Sequence, residues 1–267
     1  MRNALKAIRS WLWWQVPDHP LLFYVAKRYV DRYLGEMSSD LRTNGEWRCI
    51  QHFIPHARVV FDVGANVGEW ASLVRSVNSD CEIHCFEPSR HTFERLVELR
   101  LPGKVALNNF GLSSNPGRAD LKIYSESGHN SIYDQPHDRC LGTEQIELQT
   151  MEHYVVNSEI AQVDYCKIDV EGHELAVIRG MSSLLDEGRV KVIQFEYSKT
   201  YLPAEILLKD VFSCFRDLPY SFFKITPRGL IAVPSYSERL ETLRYSNWLA
   251  VHQDWKERAD QLVRFEL

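Results

Sequence analysis

Two stretches of the chain hold residue types that can do chemistry at workable spacing. The first is Asp62-Val63-Gly64-Ala65-Asn66-Val67-Gly68. Its glycines suit a tight strand-to-helix turn: Gly64 where the chain doubles back, Gly68 where backbone and helix approach closely, with amide groups left to face a ligand. Glu87, 25 residues after Asp62 and followed by Pro88, would close the next strand. A carboxylate there can accept both hydroxyls of a ribose, so the two strands describe a nucleoside-binding edge. A dinucleotide fits less well, because its fingerprint needs Gly-x-Gly-x-x-Gly and Asn66 stands where the middle glycine would be. Asp62 would also repel a diphosphate and attract an ammonium or sulfonium. S-adenosylmethionine fits that description.

The second stretch is Lys167-Ile168-Asp169-Val170-Glu171-Gly172-His173-Glu174, in which four ionisable side chains follow an apolar strand. Ligands in open α/β sheets sit beyond the carboxyl ends of the strands, where strand order reverses, so Asp169 is expected to face the cofactor. Asp169 or Glu171 could equally cap the helix that starts near His173. With Glu196, at the end of a later strand, Asp169 and Glu171 make a carboxylate set able to hold a divalent ion such as magnesium, or to lift one another's pKa into base range. His173 and His129 are alternative bases. His129 and Asn130, in a long Ser-Gly-His-Asn-Ser loop, are candidate substrate contacts, since loops over strand ends carry specificity.

The scaffold that would position these residues begins at residue 58, where short apolar runs alternate with helical periodicity, the pattern of βαβ units around a largely parallel sheet. Strands are expected at 58–63, 82–86, 105–110, 164–168 and 190–195. Between them, Trp70, Leu73, Val74 and Val77 form one helical stripe; Phe93, Leu96 and Val97 line a helix at 91–100, and Leu175, Ile178, Met181 and Leu185 another. A strand at 121–124 leads into a loop at 125–139, of a length often functional. The C-terminal part is expected to hold a helix at 204–215 and strands near 222–226, 230–233 and 247–252. The organisation is read as a helical arm, 1–57, and a catalytic domain, 58–267.

Composition limits the partners. Of 267 residues, 31 are Lys or Arg and 36 are Asp or Glu, for a net charge of −5, and 45% are hydrophobic, as suits a globular chain with a sizeable core. Residues 1–60 carry nine basic against five acidic residues, and residues 61–267 carry 22 against 31. An acidic body argues against nucleic acid as a partner. The six cysteines contain no Cys-x-x-Cys pair, which points to a reducing, cytoplasmic setting. The N-terminus combines Arg2, Lys6 and Arg9 with Trp11-Leu12-Trp13-Trp14 and, after an interruption by Gln15, Pro17, Asp18, His19 and Pro20, Leu21-Leu22-Phe23-Tyr24-Val25. Neither run reaches the roughly 20 residues of a membrane span, and no signal-peptide cleavage pattern follows. These aromatics are expected to pack on the body or on a second subunit, as in a homo-oligomer; peripheral contact with an anionic membrane is the alternative.

Val60-Phe61-Asp62-Val63-Gly64-Ala65-Asn66-Val67-Gly68, Phe86-Glu87-Pro88, Lys167-Ile168-Asp169-Val170-Glu171-Gly172-His173-Glu174 and Gln194-Phe195-Glu196 resemble, in this order, the successive motifs of the FkbM-type S-adenosylmethionine-dependent methyltransferases. The resemblance covers about residues 58–200. It implies a class I, Rossmann-like α/β fold: a seven-stranded, mostly parallel sheet flanked by helices, here with a helical N-terminal extension. It also implies O-methylation, with sugars, glycolipids and polyketide-type metabolites among the family's substrates, so that a small-molecule or glycan acceptor is expected. On this basis Asp62, Gly64, Ala65, Asn66 and Gly68 would hold the methionine end, Glu87 and Pro88 the ribose, and Gly111-Leu112 the neighbourhood of the adenine. The family's frequent Ala-Leu-Ser-Asp appears here as Gly111-Leu112-Ser113-Ser114. The competing classes are a non-catalytic module that binds the cofactor or a partner and, more weakly, a nucleic-acid methyltransferase. The latter lacks both the Asn/Asp-Pro-Pro-aromatic pattern and a Pro-Cys nucleophile.

Overall fold

The computed structural model describes residues 19–36, 38–135 and 139–266; the tryptophan run at 11–14 and the basic residues before it lie outside them. In chain order the strands are β1 (Val59–Val63), β2 (Glu82–Phe86), β3 (Val105–Asn108), β4 (Gly111–Leu112), β5 (Gly117–Ile123), β6 (Gly142–Gln149), β7 (Val163–Ile168), β8 (Val190–Tyr197), β9 (Tyr220–Thr226), β10 (Gly229–Val233), β11 (Ser246–His252) and β12 (Val263–Glu266). Nine form one sheet in the order β12-β10-β9-β11-β8-β7-β1-β2-β3, and β4-β6-β5 form a small second sheet. β3, β2, β1, β7 and β8 are parallel, whereas β11 runs antiparallel to both β8 and β9. The seven strands from β3 to β9 are the expected mostly parallel core, and β10 and β12 extend it at one edge. The chain builds outward from β1 in one direction and from β7 in the other, so strand order reverses between them.

The apolar runs of β7 and β8 reflect burial on both faces, every residue of both strands being buried, as a parallel sheet covered by helices requires. Alternation divides the core: Val60, Ile83, Tyr165 and Val192 point to one side, and Phe61, Phe86, Cys166 and Ile193 to the other.

Several local expectations shift. The helix Arg90–Glu98 buries Thr92 and Leu96 but leaves Val97 46% exposed, being a surface helix with a narrow inner stripe. The helix read through Leu185 breaks into Glu174–Arg179 and Ser182–Asp186 at Gly180, where a Cβ would stand 2.0 Å from the Ser113 carbonyl oxygen. The third strand stops at Asn108, and Gly111–Leu112 crosses to the second sheet. β6 and the helix Gln253–Asp260 had no clear signal, because their sequences are dominated by polar residues, and the helix Met151–Asn157, of seven residues, is too short to show a period.

The N-terminal region divides in two. The helix Glu46–Phe53 buries Glu46, Cys49, Ile50 and Phe53, and the Phe53 ring lies 6.0 Å from that of Tyr165 on β7. A boundary at 57/58 therefore cuts through one hydrophobic core. By contrast, the helix Pro20–Tyr33 has no buried residue, so Leu21-Leu22-Phe23-Tyr24-Val25, expected to pack on the body or on a second subunit, do not pack on the body and are exposed on this chain. No helix among the described residues is long and apolar enough to cross a membrane.

Candidate active site

A cleft of about 880 Å³ opens over the carboxyl ends of β1, β2, β7 and β8, within the range of small-molecule sites. Its floor is the glycine turn. Gly64 has φ +81°, and a Cβ there would lie 1.8 Å from the Asp169 carbonyl oxygen, so only glycine lets the β1 and β7 ends meet. Most of the turn's amides, however, are already engaged. Those of Gly64 and Ala65 both donate to the Phe86 carbonyl at 3.0 Å, that of Gly68 to the Ala65 carbonyl at 2.8 Å, and that of Asn66 to Glu87 Oε2 at 2.9 Å. Buried amides find internal partners where these exist, so this cradle works by shape and by Glu87. The Glu87 carboxylate also accepts the Ser89 amide at 2.9 Å through Oε1, and each oxygen retains capacity for a further donor. Burial pushes its pKa up to about 7, against the two amides that favour the ion. Beside it, Pro88, Gly111 and Leu112 line the cleft together with Ile146 and Leu148 of β6, an apolar slot in which the β6 residues are additions to the sequence reading.

Asp62 and Gly68 are not on the cleft wall. Gly68 faces the side chains of Leu96 and Leu99. Asp62 is fully buried, and neither of its oxygens has a hydrogen-bond partner. Its nearest counter-charge is Lys167 Nζ at 4.0 Å, and burial pushes its pKa up to about 6. The register explains the pair: Asp62 is opposite Lys167 across β1 and β7, and Lys167 is opposite Gln194 across β7 and β8. These three form a polar row beneath the cleft. Gln194 Nε2 donates to Glu46 Oε2 at 2.5 Å and Gln194 Oε1 accepts from the Tyr165 hydroxyl at 2.7 Å. Asn44 and Asn247 donate to the other Glu46 oxygen at 2.6 and 3.0 Å. Glu46 carries no sequence signal for this role. Lys167 did carry one, as a lone ammonium inside an apolar strand.

Above the row, Asp169, Glu171 and Glu196 each bring an oxygen within 4.8 Å of the others. Lys167 Nζ donates to Asp169 Oδ2 at 2.8 Å. Burial alone would drive the ammonium towards neutrality, but Asp169, Asp62 and Glu46 outweigh it and hold Lys167 charged. Burial, then the charges of Asp169 and Glu174, pushes Glu171 up to about 9; the same combination, with Glu171 added, raises Glu196 well above the ordinary carboxylate range. Neither Asp169 nor Glu171 caps the following helix. The helix has no side-chain cap; Glu174, its first residue, reaches back to accept the Val170 amide at 3.0 Å and the Gly172 amide at 3.1 Å, fixing the turn before it.

His173 lines the cleft but has both ring nitrogens engaged. Nδ1 lies 3.1 Å from the Tyr133 hydroxyl and Nε2 2.9 Å from the Ser113 hydroxyl, and burial pulls its pKa down to about 4. It is a neutral bridge with both ring nitrogens held by neighbouring hydroxyls. Ser113, in the segment that departs from the family pattern, thus holds the ring. The loop after β5 closes over the cleft. Ser127 Oγ donates to Asn66 Oδ1 at 2.8 Å, and Ser131 Oγ to the Glu171 carbonyl at 2.7 Å. His129 and Asn130 both line the cleft; Asn130 Oδ1 accepts the Tyr124 amide at 3.0 Å, and His129 Nε2 is 3.7 Å from Glu126 Oε2.

A sheet whose order reverses at β1/β7, with an antiparallel strand between β8 and β9 and a carboxylate closing β2, defines a class I, Rossmann-like methyltransferase fold. The family described as Methyltransferase FkbM domain matches residues 62–222, and the chain belongs to this family of S-adenosylmethionine-dependent methyltransferases. It is 30% identical over 162 residues to the hexuronic acid methyltransferase AglP of Haloferax volcanii, a match over 58% of this chain and 63% of that protein. The matched part is therefore less than two thirds of the relative. Among solved structures it is similar to a precorrin-6y C5,15-methyltransferase from Geobacter metallireducens (TM-score 0.42, 11% identity, 81% of this chain and 93% of that one). It is also similar to the plantazolicin methyltransferase BpumL in complex with SAH (TM-score 0.42, 8% identity, 88% and 92%).

Proposed function

We propose that the protein transfers the methyl group of S-adenosylmethionine to a hydroxyl of a saccharide, glycolipid or related small metabolite. The observation that carries this reading is that one cleft joins the Glu87 carboxylate to the carboxylates of Asp169, Glu171 and Glu196, so a nucleoside edge and an acid cluster face the same space. The hexuronic acid methyltransferase relative supports a saccharide acceptor.

When bound, S-adenosylmethionine supplies a methyl carbon on a cationic sulfur, an activated donor. Glu87 would accept the ribose hydroxyls, the Pro88, Leu112, Ile146 and Leu148 slot would take the base, and Asp169 would face the charged methionine end. The loop pinned by Ser127 and Ser131 would exclude water while the acceptor oxygen is held in line, which is where most of the rate gain arises. Glu171 or Glu196 would take the proton that the acceptor hydroxyl gives up as its oxygen is methylated and the sulfur is released as the neutral thioether. A cationic cofactor beside these carboxylates would lower their raised pKa values and favour the ionised base. The three carboxylates also offer the hard oxygen donors that a divalent ion prefers. Asp169, Glu171 and Glu196 would hold it, and it would acidify the acceptor hydroxyl, in competition with Lys167 for Asp169.

The test is calorimetric titration with S-adenosylmethionine, S-adenosylhomocysteine and NAD, followed by methyl transfer to a glycan panel with and without chelator. Glu87→Ala should lose cofactor binding, and Glu171→Gln should bind and fail to turn over. A wild type that binds NAD, or neither methionine derivative, overturns the reading; turnover unaffected by exhaustive chelation removes the ion alone.

A further inference from the structure

We infer that the helix Pro20–Tyr33 is a docking element for an anionic phospholipid surface and that it brings the cleft to acceptors held at a membrane. The inference rests on the glycolipid branch of the proposed function. The helix is amphipathic with its faces inverted relative to an ordinary surface helix. Tyr24, Lys27, Arg28 and Asp31 line the groove between it and the body, opposite Thr43, Asn44 and Pro227. Leu22, Val25 and Tyr29, at i, i+3 and i+7, point the other way, with Leu21 and Phe23 flanking them. Phe23 is 71% exposed, Tyr29 68% and Val25 55%. A contiguous apolar face of this kind on a soluble body marks an interaction surface.

Charge selects the occupant. Residues 20–33 hold Lys27, Arg28 and Arg32 against Asp31, and the preceding residues add Arg2, Lys6 and Arg9 against Asp18. Cations framing an aliphatic and aromatic stripe suit the headgroup boundary of an anionic leaflet, where apolar burial and phosphate attraction act together. Tyr29, on that face, has the amphipathic ring favoured at that depth, whereas Tyr33 stacks on Phe265 at 5.6 Å and ties the end of the helix to the body.

Position links the helix to catalysis. Asp31 pairs with Arg244, which also contacts Glu36 at 3.0 Å, and Glu36 accepts from Lys224 at 2.6 Å. Arg244 lies between Leu243 and Tyr245, both of which line the cleft, and Ser39 and Leu41, just after the helix, line it too. The docking element is thus bolted to the rim of the cleft.

The experiment is flotation of the full chain with vesicles of phosphatidylcholine alone or with 30% phosphatidylglycerol (about the anionic content needed for a strong surface potential), free of any methyl acceptor. Binding should require the anionic lipid and weaken with salt. The double variant Phe23→Ser/Tyr29→Ser should weaken it by about tenfold or more, since each ring adds apolar burial. Cofactor binding by calorimetry should be unchanged in that variant, separating a lost surface from a lost fold or a failed methyltransferase reading. Absence of vesicle binding in the wild type overturns the inference, as does a dimer in light scattering that the same variant dissolves, which would assign the face to a second copy.

Discussion

Replacing Lys167 by Met tests the electrostatic logic beneath the cleft. The ammonium is buried, 2.8 Å from Asp169 and 4.0 Å from Asp62. Asp169 is partly exposed and can hydrate, but Asp62 is fully inaccessible with no hydrogen bond, so it bears the loss. Removing one member of a buried ion pair costs about 3–5 kcal/mol, which in a chain of this size lowers the melting temperature by about 6–20 °C. The pH dependence supplies the sharper test. The Asp62 pKa is already raised from its ordinary 3.8 to about 6, and loss of the cation raises it further. A carboxyl raised on folding favours the native state below its unfolded pKa, and that contribution is lost as pH rises through the folded value. The cost of Lys167→Met should therefore be small near pH 5 and full at pH 8. Asp62→Asn should recover much of it in the double variant, because the orphaned charge is gone. Thermal and urea denaturation of the four proteins at both pH values decides the matter. A loss independent of pH, or a double variant that merely sums the singles, would refute the reasoning.

Gly64→Ala places a Cβ 1.8 Å from the Asp169 carbonyl at φ +81°; beyond about 1–2 kcal/mol of left-handed backbone strain, it must separate β1 from β7. Both melting temperature and cofactor affinity should fall, and calorimetry showing wild-type affinity would contradict this. Because burial lifts Glu87 to about 7, its charge fails below neutrality, and S-adenosylmethionine affinity should drop by up to about tenfold per pH unit between 7 and 5.5; a flat titration series would remove Glu87 from the ribose. Proton release on S-adenosylmethionine binding, absent or smaller with S-adenosylhomocysteine, whose sulfur is uncharged, should appear when calorimetry is repeated in buffers of different ionisation enthalpy, since a sulfonium lowers the raised Glu171. Tyr133→Phe removes the hydroxyl that holds His173 and should reduce kcat/KM for the acceptor several-fold while leaving cofactor affinity intact, as steady-state kinetics would show.

The parallel core and its switch point were legible in the order of residues, because a strand buried on both faces must be apolar along its length and a strand-to-helix turn at φ near +81° must be glycine. Glu87 and the Asp169, Glu171 and Glu196 set were legible for the same reason: carboxylates that end apolar strands have few structural uses. The sequence could not say which of these groups reach the cleft. Asp62 and Gly64 are two residues apart in one motif, yet strand register turns Asp62 under the sheet against Lys167 and leaves Gly64 on the floor. The amides of Gly64 and Ala65 go to the Phe86 carbonyl, and the ring nitrogens of His173 are held by Tyr133 and Ser113, 40 and 60 residues distant. Glu46 and β6 entered the site without any local signal. Hydrogen-bond partners and desolvation are set by what folds against a residue, and those neighbours come from segments whose spacing along the chain carries no trace of the contact.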